Sequence, residues 1–201
     1  RMRVAADEAG FYRHQLPERF GGNDGGTESN PVELEVTPRP PEILTFHPVP
    51  GDGSGGDKTY PQPICFGGQN PGDSVGIPDV TTSTPVEEID TLRAGEDLVF
   101  EVRSWSSNLD RTAIDQLDVT LTTNQGDREE LRVFETGINT GVFVGKISTG
   151  RLPPLPVQDD CRLNLANGDV IEISASQPGE DAIVIETDVD VLADPFGVVF
   201  D

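Results

Sequence analysis

The sequence predicts an all-β fold in which short strands form a sandwich. Its 22 glycines and 17 prolines among 201 residues interrupt helices and favour turns. From residue 92 onward, short segments that alternate apolar and polar residues recur at roughly 8–12-residue spacing, which is typical of a sandwich. Turn sequences such as Asn167-Gly168-Asp169 separate these segments.

The strands can be placed in order along the chain. Val32–Val36 alternates strictly between apolar and acidic residues, which predicts a strand with one buried face. Residues 98–103 alternate in the same way and predict a second half-buried strand. Short helices are predicted around 5–11 and 111–116. Further strands are predicted at 43–46, 118–122, 131–134, 142–147, 163–165, 170–173, 183–185, 189–191 and 198–200.

Two stretches lack the period of a strand. Residues 1–30 contain few apolar residues and end in a glycine-rich run, so we predict an N-terminal extension or linker there, followed by the sandwich over 31–201. Residues 48–90 are rich in Pro and Gly, which predicts a long loop insertion, and 92–201 is the most regular part. Because both ends of the sequence look cut, we expect it to be a piece of a longer protein.

Acidic residues dominate the charge. Against 36 Asp and Glu there are 14 Lys and Arg, which gives a net charge of −22. Such a surface repels the phosphates of nucleic acids and of anionic lipids, so neither is an expected partner. It attracts cations, Ca²⁺ among them. No segment approaches the ~20 apolar residues of a membrane span, so no membrane insertion is expected. The composition favours an extracellular protein.

Residues 135–145, with the sequence ETGINTGVFVG, resemble the ETG-x-NTGVF-x-G hairpin of Ig-like repeats in very large bacterial surface and outer-membrane proteins, some with an OmpA-like domain. Residues 94–100, 108–110, 167–171 and 194–201 resemble other parts of such repeats, and 31–36 resembles the end of a preceding one. The resemblance covers 31–201 and implies an Ig-like β-sandwich at the bacterial cell surface. It implies a stalk, adhesin or surface-layer module, with adjacent repeats or neighbouring copies as partners.

The residue chemistry of this hairpin predicts a structural turn rather than a ligand site. Gly137 and Gly141 are predicted to supply positive φ angles, and Asn139 can close a turn with its side chain. The Thr140 hydroxyl can bond the turn backbone, and Glu135 is placed as an acceptor for several turn N–H groups.

Cys65 and Cys161 are the 2 cysteines of the chain. An even count in a chain that we expect to be exported predicts a disulfide between them. Such a bond would attach the Pro- and Gly-rich segment to the residues that precede the late strands. The alternative, two unpaired buried thiols, stays open at this point.

Asp110, Asp115, Asp188 and Asp190 are the acids to weigh as calcium ligands. Ca²⁺ takes about six to eight oxygens, and loops at one end of a sandwich can supply them. Against a site, residues 104–108 contain no acid where the similar repeats often have acids, and no EF-hand spacing occurs. Solvated acids and a Ca²⁺ site both remain open, and no other cofactor is predicted.

The sequence does not predict an enzyme. His14 and His47 have no partner at zinc-site spacing, and no Gly-x-Ser-x-Gly motif occurs. Adjacent acids such as Glu129 and Glu130 point to opposite faces of a strand, so they do not form a glycosidase pair. Trp105 is predicted to lie in the core rather than to stack on a sugar. A structural module is therefore the predicted function, and the alternative is a module that recognises a glycan or protein through the 48–90 loop.

Overall fold

A computed structural model describes residues 10–14, 32–36, 40–51, 53–67, 76–178 and 183–192. Every regular element among these residues is a strand, apart from one 3₁₀ turn at Trp105–Ser107, so the all-β prediction is confirmed. The chain divides into two compact units, Arg1–Pro40 and Pro41–Asp201, and we call the second the main unit.

The first unit contains a two-stranded antiparallel ladder. Strand β1 (Gly10–His14) pairs with β2 (Val32–Val36), with Phe11 opposite Glu35. The predicted strand at 32–36 is thus confirmed. The predicted helix around 5–11 falls mostly outside the described residues, and its last two positions belong to β1 instead.

In the main unit, the described residues form 12 strands of one sheet. They are β3 (Glu42–Pro48), β4 (Asp57–Pro61), β5 (Ile64–Cys65), β6 (Thr81–Glu88), β7 (Thr91–Leu92), β8 (Leu98–Arg103), β9 (Gln116–Thr123), β10 (Arg128–Glu135), β11 (Val142–Arg151), β12 (Arg162–Leu165), β13 (Val170–Ser176) and β14 (Ile183–Val191).

These strands form a single mixed sheet in the order β4-β6-β3-β8-β11-β10-β9-β13-β14-β7. Strand β5 adds to β10, while β12 runs parallel to β11 and β7 runs parallel to β14. Strand β10 lies within the sheet and is 8 residues long, which is about 25 Å at the usual rise. We name the two ends of the sheet after the two ends of this strand, the Arg128 end and the Glu135 end.

The main hydrophobic core lies on one face of the sheet. Alternate residues of β8, Leu98, Phe100 and Val102, join it together with Ile171 of β13 and Val189 of β14. Strands β8 and β14 are far apart in the sheet order, so the sheet must curl back on itself to bring their side chains into one cluster. The alternation found in the sequence therefore identifies the core face correctly.

The opposite face of β8 is buried as well, which the sequence did not predict. Val99 packs with Phe46 of β3, Tyr60 of β4 and Val86 of β6 in a second cluster. The prediction that 48–90 is a long loop is wrong for its described residues, because β4 and β6 pair with each other and β6 pairs with β3. The described residues of 48–90, which we call the covering segment, cover a face that would otherwise expose apolar side chains to water.

A buried ion pair completes this second face. Glu101 of β8 is 4% exposed, and its carboxylate accepts bonds from Lys58 of β4 and from Arg103, each at 2.6 Å. The ammonium of Lys58 also lies 4.4 Å from the centre of the Phe46 ring. Strand β8 is consequently buried on both faces rather than half-buried as predicted.

The remaining element predictions have mixed outcomes. The strands predicted from 43 to 173 are confirmed, whereas those at 183–185 and 189–191 belong to the one strand β14. The helix predicted at 111–116 is wrong, since a turn occupies this stretch until β9 begins at Gln116. The strand predicted at 198–200 lies outside the described residues. In the described part of the chain, no helix has the length and apolar character needed to cross a membrane.

Candidate functional site

Glu135, the last residue of β10, closes the turn that leads to β11. Its Oε1 accepts hydrogen bonds from the main-chain N–H of Gly141 at 2.6 Å and of Thr140 at 3.0 Å. Its Oε2 accepts from the N–H of Asp115 at 3.1 Å, so the same carboxylate also holds the segment before β9. Glu135 is fully buried, and its predicted role as an acceptor for turn N–H groups is confirmed.

The positive φ angles of this turn fall partly on other residues than predicted. Gly141 has φ 60°, as expected, and the second such residue is Asn139, with φ 58°. Gly137 has no positive φ, so that part of the prediction is wrong. Asparagine tolerates the left-handed region better than most residues, which removes the need for glycine at 137. The Thr140 hydroxyl donates to the Gly137 carbonyl at 3.2 Å, so it bonds the turn backbone as predicted.

Cys65 and Cys161 form a disulfide, which confirms the predicted pairing. Cys65 lies on β5, beside Leu131 of β10, and Cys161 immediately precedes β12. The bond joins residues separated by 96 positions, and it attaches the covering segment to the Arg128 end of the sheet. Cys161 adopts φ 69°, a backbone conformation that its neighbours must support.

The buried side chain of Glu129 stabilises the backbone at Cys161. Its carboxylate accepts from the N–H of Cys161 at 2.7 Å and of Asp160 at 3.2 Å. The pKa of Glu129 is raised to about 7. Burial is the main cause and the nearby carboxylates of Asp160 and Asp127 add to it, while these two bonds act in the opposite direction. Glu130, the next residue, is half-exposed, as expected for adjacent acids on a strand.

Two further buried acids bind main-chain N–H groups at the same end. Asp127 accepts from the N–H groups of Arg128 at 3.0 Å and Asn164 at 2.6 Å, and burial raises its pKa. Asp169 accepts from the N–H of Ala166 at 2.7 Å. The sequence analysis missed both, although each acid directly follows a glycine in a turn, and that position favours a side chain that binds turn N–H groups.

The structure does not bring the four predicted calcium ligands together. Asp110 accepts bonds from the Thr112 hydroxyl and N–H, which lower its pKa, and Asp115 accepts from the Asp110 N–H at 2.9 Å. Asp188 and Asp190 lie on β14. Across the intervening strand β13, Asp188 is level with Thr122 of β9. Asp115 precedes the opposite end of β9, about 20 Å away along that strand. One ion cannot bind both pairs.

Trp105 is not a core residue, which corrects the prediction. Its side chain is 43% exposed, at the Glu135 end of the sheet. A Cβ atom at Gly141 would lie 2.6 Å from Cε3 of the indole, so the ring rests directly on this glycine. The N–H of Ser104 donates to the carbonyl of Gly141 at 2.8 Å and fixes the backbone beside the ring. The aromatic side chain is thus both exposed and held in place.

A cleft of about 320 Å³ lies beside the disulfide. Both half-cystines line it, together with Tyr60, Leu131 and Lys146. This volume is at the lower end of small-molecule sites, and the Lys146 ammonium is already paired with Asp97 at 2.8 Å. Among the described residues, the group of potential metal ligands that lies closest together is Glu129 with these two cysteines, whose sulfurs are committed to the disulfide.

Comparison with known proteins does not add a family. No protein-family model matches the chain, and no curated protein matches it significantly.

Proposed function

We propose that this chain is a non-catalytic structural module of an exported bacterial surface protein, with an Ig-like β-sandwich as its fold. It would act as a stalk, an adhesin repeat or a filament subunit through end-to-end contacts. The observation that carries the proposal is the use of the buried carboxylates: Glu129, Glu135, Asp127 and Asp169 each accept bonds from main-chain N–H groups at the ends of the sheet.

These bonds stiffen both ends of the sheet. A buried carboxylate that accepts main-chain N–H groups forms charge-assisted bonds, which are stronger than neutral ones and costly to break. Glu135 holds the loops at one end, while Glu129 and the disulfide hold those at the other, where Asp127 also binds the backbone of β12. Rigid ends suit a module that passes force or orientation to a neighbour, whereas an enzyme commonly needs loops that move.

Two further features support export. Disulfides persist mainly in oxidising compartments, and this one closes a loop of 96 positions. The net charge of −22 favours solubility at high local density, because copies repel each other over most of their surfaces. The resemblance of 135–145 to surface-protein repeats agrees with both features and supplies the bacterial cell surface as the expected location.

The exposed Trp105 favours a recognition module as the second candidate. A fixed and exposed aromatic ring is a common element of glycan and protein sites. The site would then be the Glu135 end of the sheet rather than the 48–90 segment, whose described strands β4 and β6 are packed on β8. Binding of the purified chain to a glycan array would favour this candidate.

Surface labelling tests the first proposal directly. In the source organism, a membrane-impermeant biotin reagent should label the protein on intact cells, and its two cysteines should resist alkylation without reductant. A cytoplasmic protein with two reactive thiols would contradict the proposal. Labelling of a known cytoplasmic protein in the same sample serves as the control for cell integrity.

Single-molecule stretching tests mechanical rigidity. In a tandem polyprotein, the disulfide should hide the 96 positions between the cysteines from extension. Reductant should lengthen each unfolding step by about 35 nm, the span of that many extended residues. Extension without distinct unfolding steps in the oxidised form would argue against a load-bearing role.

A further inference from the structure

The Glu135 end of the sheet carries three exposed apolar side chains, which together we call the platform. It consists of Trp105, Leu109 and Ile138, of which the last two are 70% and 59% exposed. Between them, the Asn108 side-chain amide donates to the Asn139 side-chain oxygen at 2.7 Å, which joins the loop before β9 to the turn before β11. Because the indole lies directly against Gly141, the Trp105 ring is held in place before anything binds.

The Arg128 end carries a second exposed apolar surface, the proline loop of residues 152–158, with the sequence LPPLPVQ. Leu155 is 85% exposed and Val157 is 59% exposed. The loop is anchored at both ends, by the Leu152 N–H to the Leu165 carbonyl at 3.0 Å and by the Gln158 side chain to the Gly126 carbonyl at 3.1 Å. Its prolines restrict the backbone, so little conformational entropy remains to be lost on binding.

Both surfaces are free of charge in a strongly acidic chain. Charged residues make up 25% of the sequence, yet residues 104–109, 136–142 and 152–158 contain none. Two copies with a net charge of −22 repel each other over most of their surfaces. The platform and the proline loop are therefore surfaces through which two copies can approach without placing like charges in contact.

The chemistry of the two surfaces is complementary. Proline-rich segments bind to exposed aromatic side chains, because proline rings stack on the aromatic face and their carbonyls accept from an indole N–H. We propose that the proline loop of one copy of this chain docks on the Trp105 platform of a second copy. The proposal rests on the proposed structural function and identifies the surfaces of its end-to-end contact.

The contact joins unlike surfaces from opposite ends of β10, so it is head-to-tail. Such a contact leaves a free platform on one copy and a free loop on the other, and repeated contacts build an open chain. Five exposed side chains make a small interface, below the roughly 1,200 Å² of stable complexes, so an isolated contact is weak. Tandem linkage or anchoring on a surface raises the local concentration and stabilises it.

Trp105 reports on its own environment, because it is the 1 tryptophan of the chain. As the purified chain is concentrated to about 1 mM, the tryptophan emission should shift to shorter wavelength while light scattering shows a rising mean mass. Leu155→Ser, which keeps the tryptophan, should weaken both effects at least about tenfold. The matched control is Val80→Ser, because Val80 is 58% exposed but belongs to neither surface, and both effects should persist in it.

A mixing experiment tests the pairing of the two surfaces. Trp105→Ala removes the aromatic side chain of the platform and leaves the proline loop intact. Leu155→Ser removes an apolar side chain of the proline loop and leaves the platform intact. Each variant alone should stay monomeric. Their equimolar mixture should form dimers and nothing larger, because only the intact loop of one variant and the intact platform of the other can still dock. Association of either variant to the wild-type extent would overturn the proposal, and so would a mixture that remains monomeric.

The outcomes separate this proposal from the proposed function. If wild-type emission and mass stay constant up to the highest concentration, the docking contact is wrong. The chain would then remain a structural module linked covalently to its neighbours, as surface labelling and single-molecule stretching would report. If the chain proves to be cytoplasmic but still associates through these surfaces, the docking contact stands and the proposed function fails.

Discussion

The carboxylate of Glu135 accepts the main-chain N–H of Gly141 at 2.6 Å, so the residue that ends β10 holds the residue that precedes β11. Gly141 in turn supports the Trp105 ring, because no side chain separates its backbone from the indole. A buried acid, a left-handed glycine and an exposed tryptophan are thus connected through direct contacts. Four predictions test this arrangement and its counterpart at the Arg128 end.

Replacing the buried acid, in Glu135→Gln, should destabilise the main unit by about 2 kcal/mol. The oxygen of the glutamine side chain can still accept from one set of main-chain N–H groups. Its N–H₂ group would face the other set, so a buried donor would be left without an acceptor. Urea unfolding at neutral pH measures the loss. Glu130→Gln, on the same strand, removes a half-exposed pairing with Arg128 and should cost about 0.5 kcal/mol or less. Equal losses in the two variants would show that the turn does not depend on Glu135.

A methyl group on the turn glycine, in Gly141→Ala, should cost about 2–4 kcal/mol. Alanine would have to adopt the left-handed backbone conformation of this position, and its Cβ would lie 2.6 Å from the indole. The tryptophan emission should therefore also change. Gly137→Ala is the matched control, because its Cβ would meet the Thr140 methyl at an ordinary 3.4 Å. Thermal melting and emission spectra of both variants give the measurement. A loss of stability in Gly137→Ala as large as that in Gly141→Ala would mean that φ is not the cause.

Removing the disulfide, in the double variant Cys65→Ser and Cys161→Ser, should cost about 4–5 kcal/mol. The reason is the chain entropy that the unfolded state regains when the link across 96 positions is absent. Urea unfolding of the variant should match that of the wild-type chain in a phosphine reductant, which serves as the control. A loss below about 1 kcal/mol in both would show that the covering segment is held by its strands alone.

Stability should fall between about pH 4.5 and 7 because of Glu129. An acid whose pKa is higher in the folded chain than in the unfolded chain binds its proton preferentially when folded. Its contribution is fully present below pH 4.5, where both states are protonated, and is lost as the pH rises to about 7. Glu129→Gln should reduce this slope to the part that Asp127 contributes, as measured by urea unfolding at a series of pH values. Glu130→Gln should retain it, and a wild-type slope in Glu129→Gln would assign the effect to another group.

Much of the fold could be predicted because strand signals are local. The alternation in 98–103 identified Leu98, Phe100 and Val102 as core-facing, and the chemistry of 135–141 identified Glu135 as a turn acceptor. The φ assignment failed at Gly137 because Gly137, Asn139 and Gly141 can all adopt the left-handed region, and the sequence does not say which two will.

The covering segment could not be predicted because its strands carry weak signals. Strand β6 contains a proline and several threonines, so it has neither strict alternation nor a long apolar run. It is stabilised by pairing with β3 and β4 and by the cluster around Val99, which are contacts between residues distant in the sequence. The ion pair between Lys58 and Glu101 depends on the same covering segment.

The sequence by itself determined the all-β class, the core face of the regular strands, the turn acceptor Glu135 and the pairing of Cys65 with Cys161. These features follow from period, turn chemistry and cysteine count, which are properties of short segments or of composition. Tertiary structure alone decided the burial of Glu129, the exposure of Trp105 and the separation of Asp115 from Asp188. The physical reason is that burial and distance depend on which strands the sheet places side by side, and one-dimensional periodicity carries no information about that placement.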